Sequence, residues 1–411
     1  MIYRAYQAYA DGMTPMRGIA RSVVAACDKA HPLVGEHHSV RRVAAANELL
    51  ALARLTHERP DFGIELVQSG EREVAVSEEV VDRTPFCDLL HFKKDRTKPQ
   101  PRVLLVAPMS GHFTTLLRGT VHTLLRDHDV YLTDWLNVRD VSLIHGQFDL
   151  DDFIEHLVKF LEFLGPGAHL VAVCQPTVAA LAAVALMAAD GNPAQPATMT
   201  LMAGPMDTRV NPTKVNELAS SKPIGWFESN LIDTVPVRYP GWLRRVYPGF
   251  IQLAAFMSMN PDRHAKAFAD LYHYLADGDM DKAEPILTFY HEYFAMMDLP
   301  AEFYLQTIAA VFQQHLLPLG KFTSRGRLVE PRAIRRTALL TVEGEKDDIC
   351  AVGQTLAAHD MCSGIRPYMK EHHMQPGVGH YGVFNGRRWD TQIYPRLQQF
   401  IYSHDSGVVA R

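Results

Sequence analysis

Three residues have the type and setting for covalent acyl chemistry: Cys174, Asp347 and His380. Cys174 closes the apolar run His169-Leu-Val-Ala-Val-Cys and stands directly before an alanine-rich segment. That is where a strand turns sharply into a helix, a turn that lifts a nucleophile clear of a sheet. The helix N-terminus beside it favours thiolate over thiol. Asp347 lies just past a second apolar run, in Val342-Glu-Gly-Glu-Lys-Asp-Asp-Ile, and His380 sits in the glycine-rich loop Pro376-Gly-Val-Gly-His-Tyr-Gly. A nucleophile, an imidazole to move its proton and a carboxylate to orient the imidazole are the groups that acyl transfer requires. Each residue also has a plainer reading: a buried packing cysteine, a helix N-cap for the segment from Ile349, and one of 20 histidines. Their joint occurrence in the order nucleophile, acid, histidine argues against coincidence. The turn departs from Gly-x-nucleophile-x-Gly, reading Ala172-Val-Cys-Gln-Pro176. Alanine is the smallest substitute for glycine, and proline is tolerated in a first helical turn.

The elements that must position these groups follow from the hydrophobic period. Residues 1–60 have a helical period, as in the run from Ser39 to Leu55, and form an N-terminal extension. Phe62-Gly-Ile-Glu-Leu-Val and Arg72-Glu-Val-Ala-Val, split by Gln-Ser-Gly-Glu, are expected to form a β-hairpin. From Arg102 onward strand, loop and helix repeat. Strands are expected at Val103–Ala107, Val130–Trp135, His169–Cys174, Ala197–Gly204 and Ala338–Gly344, with a helix from about Pro176 to Ala189. Such alternation implies a mostly parallel, doubly wound sheet, with chemistry at the carboxyl ends of its strands. Residues 205–331 interrupt it with a helical, aromatic-rich stretch, read as a cap inserted into a core of residues 61–204 and 332–411. Within it, Asp298-Leu-Pro-Ala-Glu is expected to start a helix. The fold class is therefore α/β, and the order Cys–Asp–His is that of α/β-hydrolases.

Composition bounds the function. The chain has 411 residues, 47% of them hydrophobic, and a formal charge of −5, which argues against nucleic acid as a main partner. No secretory signal opens the sequence, and the longest apolar run, Val178–Ala189, is too short for a bilayer, which needs about 20 residues. Five scattered cysteines suggest free thiols in a cytoplasmic setting rather than a disulfide framework or zinc site. His291-Glu-Tyr-Phe-Ala295 lacks the second histidine of a zinc helix, and Glu371-His-His offers no partner at readable spacing, so no metal is expected.

The string His169-Leu-Val-Ala-Val-Cys-Gln-Pro-Thr-Val, with cysteine in place of the usual serine, resembles the intracellular poly(3-hydroxybutyrate) depolymerases. Val342-Glu-Gly-Glu-Lys-Asp-Asp-Ile, Gly377-Val-Gly-His-Tyr-Gly-Val-Phe-Asn-Gly-Arg-Arg-Trp and Pro300-Ala-Glu-Phe-Tyr-Leu-Gln-Thr extend the resemblance over nearly the whole chain, the last also towards the polyester synthases. Carried over by motif, the nucleophile falls on Cys174, the histidine on His380 and the acid on Asp347, with Asp348 its rival. The Asp-x-Ile pattern of the synthases puts the acid first and favours Asp347. The resemblance implies a cytoplasmic, granule-associated esterase that needs no cofactor and acts on amorphous polyester. A polyhydroxyalkanoate synthase-like acyltransferase and a non-catalytic granule-surface protein are the alternatives, and a homo-oligomer is compatible with all three.

Cleavage through Cys174 needs an oxyanion hole, expected at the backbone N–H groups of Gln175, next to the nucleophile, and Met109, in the loop Ala107-Pro-Met-Ser-Gly-His, with Ser110 the alternative. Trp226, Trp242 and Phe250 are expected to engage polymer, although any one of these aromatics could instead serve the cap's own core. Because one thioester lies close in free energy to another, coenzyme A could compete with water for the acyl group.

Overall fold

A computed structural model of the chain describes residues 2–29, 37–95, 99–405 and 407. Two helices, α1 (Ile2–Asp28) and α2 (His38–Leu52), come first; the 30–36 part of the expected N-terminal extension lies outside the described residues. The hairpin β1 (Leu66–Ser69) and β2 (Arg72–Arg83) leads into β3 (Cys87–Lys94) and then β4 (Arg102–Val106). Helix α3 (Arg118–Leu124) precedes β5 (Asp129–Trp135), and α4 (Leu150–Leu164) precedes β6 (His169–Val173). Helix α5 (Thr177–Ala189) connects to β7 (Thr198–Met202). Asp149 and Asp152 close a reciprocal capping box at the start of α4, and Gly165, at φ 73°, ends it.

After β7 come α6 (Lys214–Ser221), α7 (Ile224–Leu231), β8 (Asp233–Thr234), β9 (Arg245–Tyr247), α8 (Gly249–Met259), α9 (Pro261–Asp277), α10 (Met280–Tyr293), β10 (Leu299–Pro300) and α11 (Ala301–Thr307). The hairpin β11 (Thr323–Ser324) and β12 (Arg327–Leu328) returns the chain to β13 (Ala338–Gly344), β14 (Lys370–Gln375) and α12 (Tyr394–His404). Among the described residues no helix is long and apolar enough to cross a membrane.

The main sheet runs β1-β2-β3-β5-β4-β6-β7-β13-β14. From β5 to β14 all strands are parallel, while β1, β2 and β3 pair antiparallel. With β1 set aside, one antiparallel strand, a β5-β4 reversal and then parallel strands define the α/β-hydrolase fold, as the sequence led us to expect. Strands β6, β7 and β13 are buried along their whole length, as are the last four residues of β4. Their sequences are mostly apolar, with only a few buried polar residues such as Thr200, Thr341 and Glu343, because helices cover both faces. Each leucine or valine buried this way contributes about 1.5–3 kcal/mol, so the central strands dominate the stability of the core.

Three expectations need amendment. Strands β3 and β14 carry no readable signal; Lys370-Glu-His-His-Met-Gln is polar because β14 is an edge strand, largely open to solvent. Residues 205–331 are not purely helical, since β8, β9 and β10 form a small antiparallel sheet and β11–β12 a hairpin. Asp298 is not a helix cap. It is fully buried, accepts the Tyr3 hydroxyl at 2.6 Å and the Gly249 N–H at 2.8 Å, and is followed by β10, so α11 starts only at Ala301. That long-range demand for a buried acceptor outweighs the local capping pattern.

Candidate active site

The carboxyl ends of β4, β6, β13 and β14 lie along one edge of the sheet, and each delivers one part of the site. At the end of β6, Cys174 adopts φ 68°, left-handed backbone that a side-chain-bearing residue rarely takes. The turn is held from both sides: the Cys174 N–H donates to Met202 O at 2.7 Å, and Cys174 O accepts Thr177 N at 3.2 Å and Thr177 Oγ1 at 2.9 Å. Strain of this kind costs on the order of 1–3 kcal/mol and persists where the surroundings over-determine it. Helix α5 begins three residues later, with Pro176 in its entry turn.

Past β13, Asp347 serves two partners. Its Oδ1 accepts Ile349 N at 2.9 Å and Cys350 N at 2.8 Å, and its Oδ2 meets His380 Nδ1 at 2.8 Å. It is therefore both the turn cap and the imidazole's partner. Its neighbour Asp348 is exposed and receives a hydrogen bond from Asn260 Nδ2 at 3.4 Å. Buried Glu343 ties the same loop to the sheet, accepting Gly353 N, Thr355 N and Leu356 N at 2.7–2.9 Å. His380 is 5% exposed, with Tyr381 and Phe384 edge-on to its ring at 5.8 and 5.7 Å.

With Nδ1 committed to Asp347, Nε2 is the His380 nitrogen left to serve Cys174. A hydrogen bond from the Cys350 thiol, and then the charge of His380, hold the Cys174 thiol well below its usual range, against burial and the Asp347 charge. Burial opposes a charge on His380, yet Cys174 and Asp347 together push its pKa well above the usual imidazole range. Both shifts run in the direction that favours a thiolate–imidazolium pair. Cys350, which the sequence reading passed over, is buried; its thiol is pushed well up by that hydrogen bond to Cys174 and by burial, and stays protonated. Only its place three residues after Asp347 hinted at a role.

The loop after β4 is fixed at several points. Ala107 N donates to Thr133 Oγ1 at 3.0 Å, Trp135 Nε1 donates to Ala107 O at 2.9 Å, and Met297 N donates to Gly111 O at 2.7 Å. Met109 is buried and Ser110 half-buried. Among the described residues, neither the Met109 N–H nor the Gln175 N–H donates to another protein group, so both are free to receive an oxyanion. Gly111 holds φ 112°, backbone that a side-chain-bearing residue rarely adopts, and a Cβ there would press on the ends of the Met296 and Gln252 side chains. Gly111→Ala is expected to displace this loop and lower kcat roughly 10²–10³-fold, the scale of one lost oxyanion donor, with KM changed far less. Steady-state kinetics on a soluble ester check it.

Of the aromatics singled out for substrate contact, Phe250 is otherwise engaged: it stacks on Tyr6 at 4.2 Å and meets Tyr3 edge-on at 5.5 Å, anchoring α1. Aromatic enrichment alone did not distinguish that packing role from polymer contact. Trp226 and Trp242 are partly exposed on the surface of the 205–331 segment, and Trp226 packs on Phe227. The residues of this segment that touch the site are others. The His112 ring packs against Phe256 and Tyr293 at 5.1 and 5.0 Å, and Asn260, at the break between α8 and α9, reaches Asp348.

Residues 203–405 match the family model described as "PHB de-polymerase C-terminus". That stretch, just under half of the 411 residues, is similar to the C-terminal part of PHB depolymerases and contains both Asp347 and His380. The chain is a carboxylic ester hydrolase of α/β-hydrolase fold. No curated protein matches the chain significantly. Similar solved structures include 2-hydroxy-6-oxo-6-phenylhexa-2,4-dienoate hydrolase from Rhodococcus sp. strain RHA1, 11% identical, with 80% of this chain and 99% of that one covered and a TM-score of 0.44. A monoacylglycerol lipase from Paleococcus ferrophilus is 13% identical, with 74% and 96% covered and a TM-score of 0.43. A thermophilic esterase from Thermogutta terrifontis is 13% identical, with 82% and 96% covered and a TM-score of 0.39.

Proposed function

We propose that this hydrolase works inside the cell on amorphous polyhydroxybutyrate granules, cleaving ester bonds through a thioester on Cys174 and releasing 3-hydroxybutyrate units. The observation that carries this reading is the left-handed Cys174 at the end of β6, on the same sheet edge as an imidazole whose Nδ1 Asp347 holds at 2.8 Å. The thiolate attacks the ester carbonyl, and the N–H groups of Gln175 and Met109 receive the oxyanion. The His380 imidazolium protonates the departing alkoxide, leaving a thioester and a neutral imidazole. That imidazole then takes a proton from water as it attacks the thioester, and collapse restores the ion pair. Residues 205–331 serve as the cap; Phe256, Tyr293 and Asn260 border the acyl site, while Trp226 and Trp242 face the polymer. All five cysteines are free, in keeping with a reducing compartment.

Activity requires Cys174 ionised and His380 protonated. Because Cys174 titrates below and His380 above its usual range, kcat/KM is expected to hold a broad plateau through neutral pH. It falls in acid as Cys174 takes up a proton and in alkali as His380 loses one. Since the Cys350 hydrogen bond is the leading cause of the low Cys174 value, Cys350→Ala is expected to move the acid limb to higher pH. The pH dependence of kcat/KM and of iodoacetamide alkylation tests both shifts.

A thioester also accepts thiols, so coenzyme A is expected to intercept the acyl group. Turnover of amorphous polymer in its presence is expected to yield 3-hydroxybutyryl thioester beside free acid. Formation of free acid alone would rule out that acceptor, and polymer growth from hydroxyacyl thioesters with no hydrolysis would mark the chain as a synthase.

A further inference from the structure

The second thiol beside Cys174 takes no bond-making step in ester cleavage, and its placement is specific. Cys174 at the end of β6 and Cys350 in the loop after β13 come from distant parts of the chain to the same carboxyl edge of the sheet, where the Asp347 carboxylate that accepts Cys350 N also holds His380 Nδ1 at 2.8 Å, and each thiol bears on the other's ionisation. Cys350 is held there by its own N–H on Asp347 Oδ1 at 2.8 Å, and its loop is pinned to Glu343 by three backbone hydrogen bonds. Only one of the pair is open to solvent: Cys174 is partly accessible, whereas Cys350 is 3% exposed. A partly accessible cysteine backed by a buried one is the arrangement of a sulfur that oxidises and a sulfur that resolves it.

We propose that Cys174 and Cys350 form a reversible redox site, in which Cys350 is the resolving thiol that protects the nucleophile from peroxide. This rests on Cys174 being the acylated residue only for its effect on activity; the disulfide chemistry stands without it. A peroxide transfers one oxygen to the Cys174 thiolate, giving the sulfenic acid and releasing hydroxide. The Cys350 sulfur then attacks the Cys174 sulfur; the sulfenic oxygen leaves as water with the Cys350 proton, and an S–S bond forms. Two equivalents of an external thiol reverse the step, restoring both thiols and leaving with a disulfide of their own. While the bond stands, the nucleophile is withdrawn and ester cleavage stops. Without Cys350 the sulfenic acid has no adjacent thiol and proceeds to the sulfinic acid, which thiols do not reduce.

The test treats the full-length protein with a few equivalents of hydrogen peroxide, then with dithiothreitol. It follows hydrolysis of a soluble 3-hydroxybutyrate oligomer, free thiols under denaturing conditions and peptide masses from a non-reducing digest. Thiols are expected to fall from five to three, with one cross-linked peptide joining Cys174 to Cys350. Activity is expected to drop more than tenfold and to return with dithiothreitol. Cys350→Ser and Cys350→Ala, each scaled to its own untreated activity, are expected to lose activity to peroxide without recovery and to carry a sulfinic acid at Cys174. A wild type that yields no such cross-link, or serine and alanine variants that recover as fully as wild type, would overturn the redox site. Cross-linking with unchanged hydrolysis would uphold the redox site and instead remove Cys174 from the reaction.

Discussion

Cys174→Ala is expected to abolish ester hydrolysis, a loss of roughly 10⁴–10⁶-fold in kcat, the scale on which removal of a triad nucleophile acts. The methyl group fits the left-handed backbone as well as cysteine does, and the anchoring bonds to Met202 and from Thr177 use only backbone atoms of residue 174, so the fold survives. Cys174→Ser is expected to remain severely impaired. An alcohol does not ionise at neutral pH, so the ion pair with His380 is lost and the imidazole must act as base from a geometry set for an acid. Cys362→Ala, at a fully buried position in the main core, is the control: it loses some stability while keeping kcat within about twofold. Circular dichroism and polymer turnover on all three separate loss of chemistry from loss of fold.

Asp347→Asn carries the second large effect, a fall in kcat of roughly 10²–10⁴-fold, or about 3–5 kcal/mol of barrier. Oδ1 already accepts two backbone N–H groups, so the new amide must turn its NH₂ towards His380 Nδ1. That donor forces the wrong tautomer and removes the charge that stabilises the imidazolium. The alkaline limb of kcat/KM then moves to lower pH, a shift that a merely loosened loop does not produce. Asp348→Asn is expected to stay within about twofold of wild type, because Asp348 is exposed and receives only the Asn260 contact.

What was legible in the sequence divides along physical lines. Strands β4, β6, β7 and β13 were readable because burial on both faces demands predominantly apolar runs. The topology followed from their alternation with helices, and with it the edge of the sheet where the chemistry gathers. Cys174, Asp347 and His380 were individually weak signals that gained weight from falling after strands, and the structure brings the three side chains together. Only the resemblance to the synthases' Asp-x-Ile pattern favours Asp347 over Asp348 in the sequence, since no local rule says which way a one-residue step in a loop turns a carboxylate, to a buried ring or to solvent. Strand β14 was hidden because an edge strand need not be apolar. Asp298 looked like a cap because capping is local, whereas its actual partners, Tyr3 and Gly249, come from α1 and α8. The aromatics were the least legible: Phe250 packs on α1, while Phe256 and Tyr293 meet the loop after β4, and composition carries no information about which face a ring will occupy.

The most direct measurement is rapid acid quenching of the enzyme in mid-turnover on a soluble 3-hydroxybutyrate oligomer, followed by peptide mapping by mass spectrometry. One hydroxyacyl unit or oligomer is expected on the peptide bearing Cys174, as a hydroxylamine-labile thioester that appears in the first turnover, disappears as substrate is exhausted and is absent from Cys174→Ala. An acyl group on a serine, on Cys350 or on no residue, with turnover proceeding at the normal rate, would contradict the account.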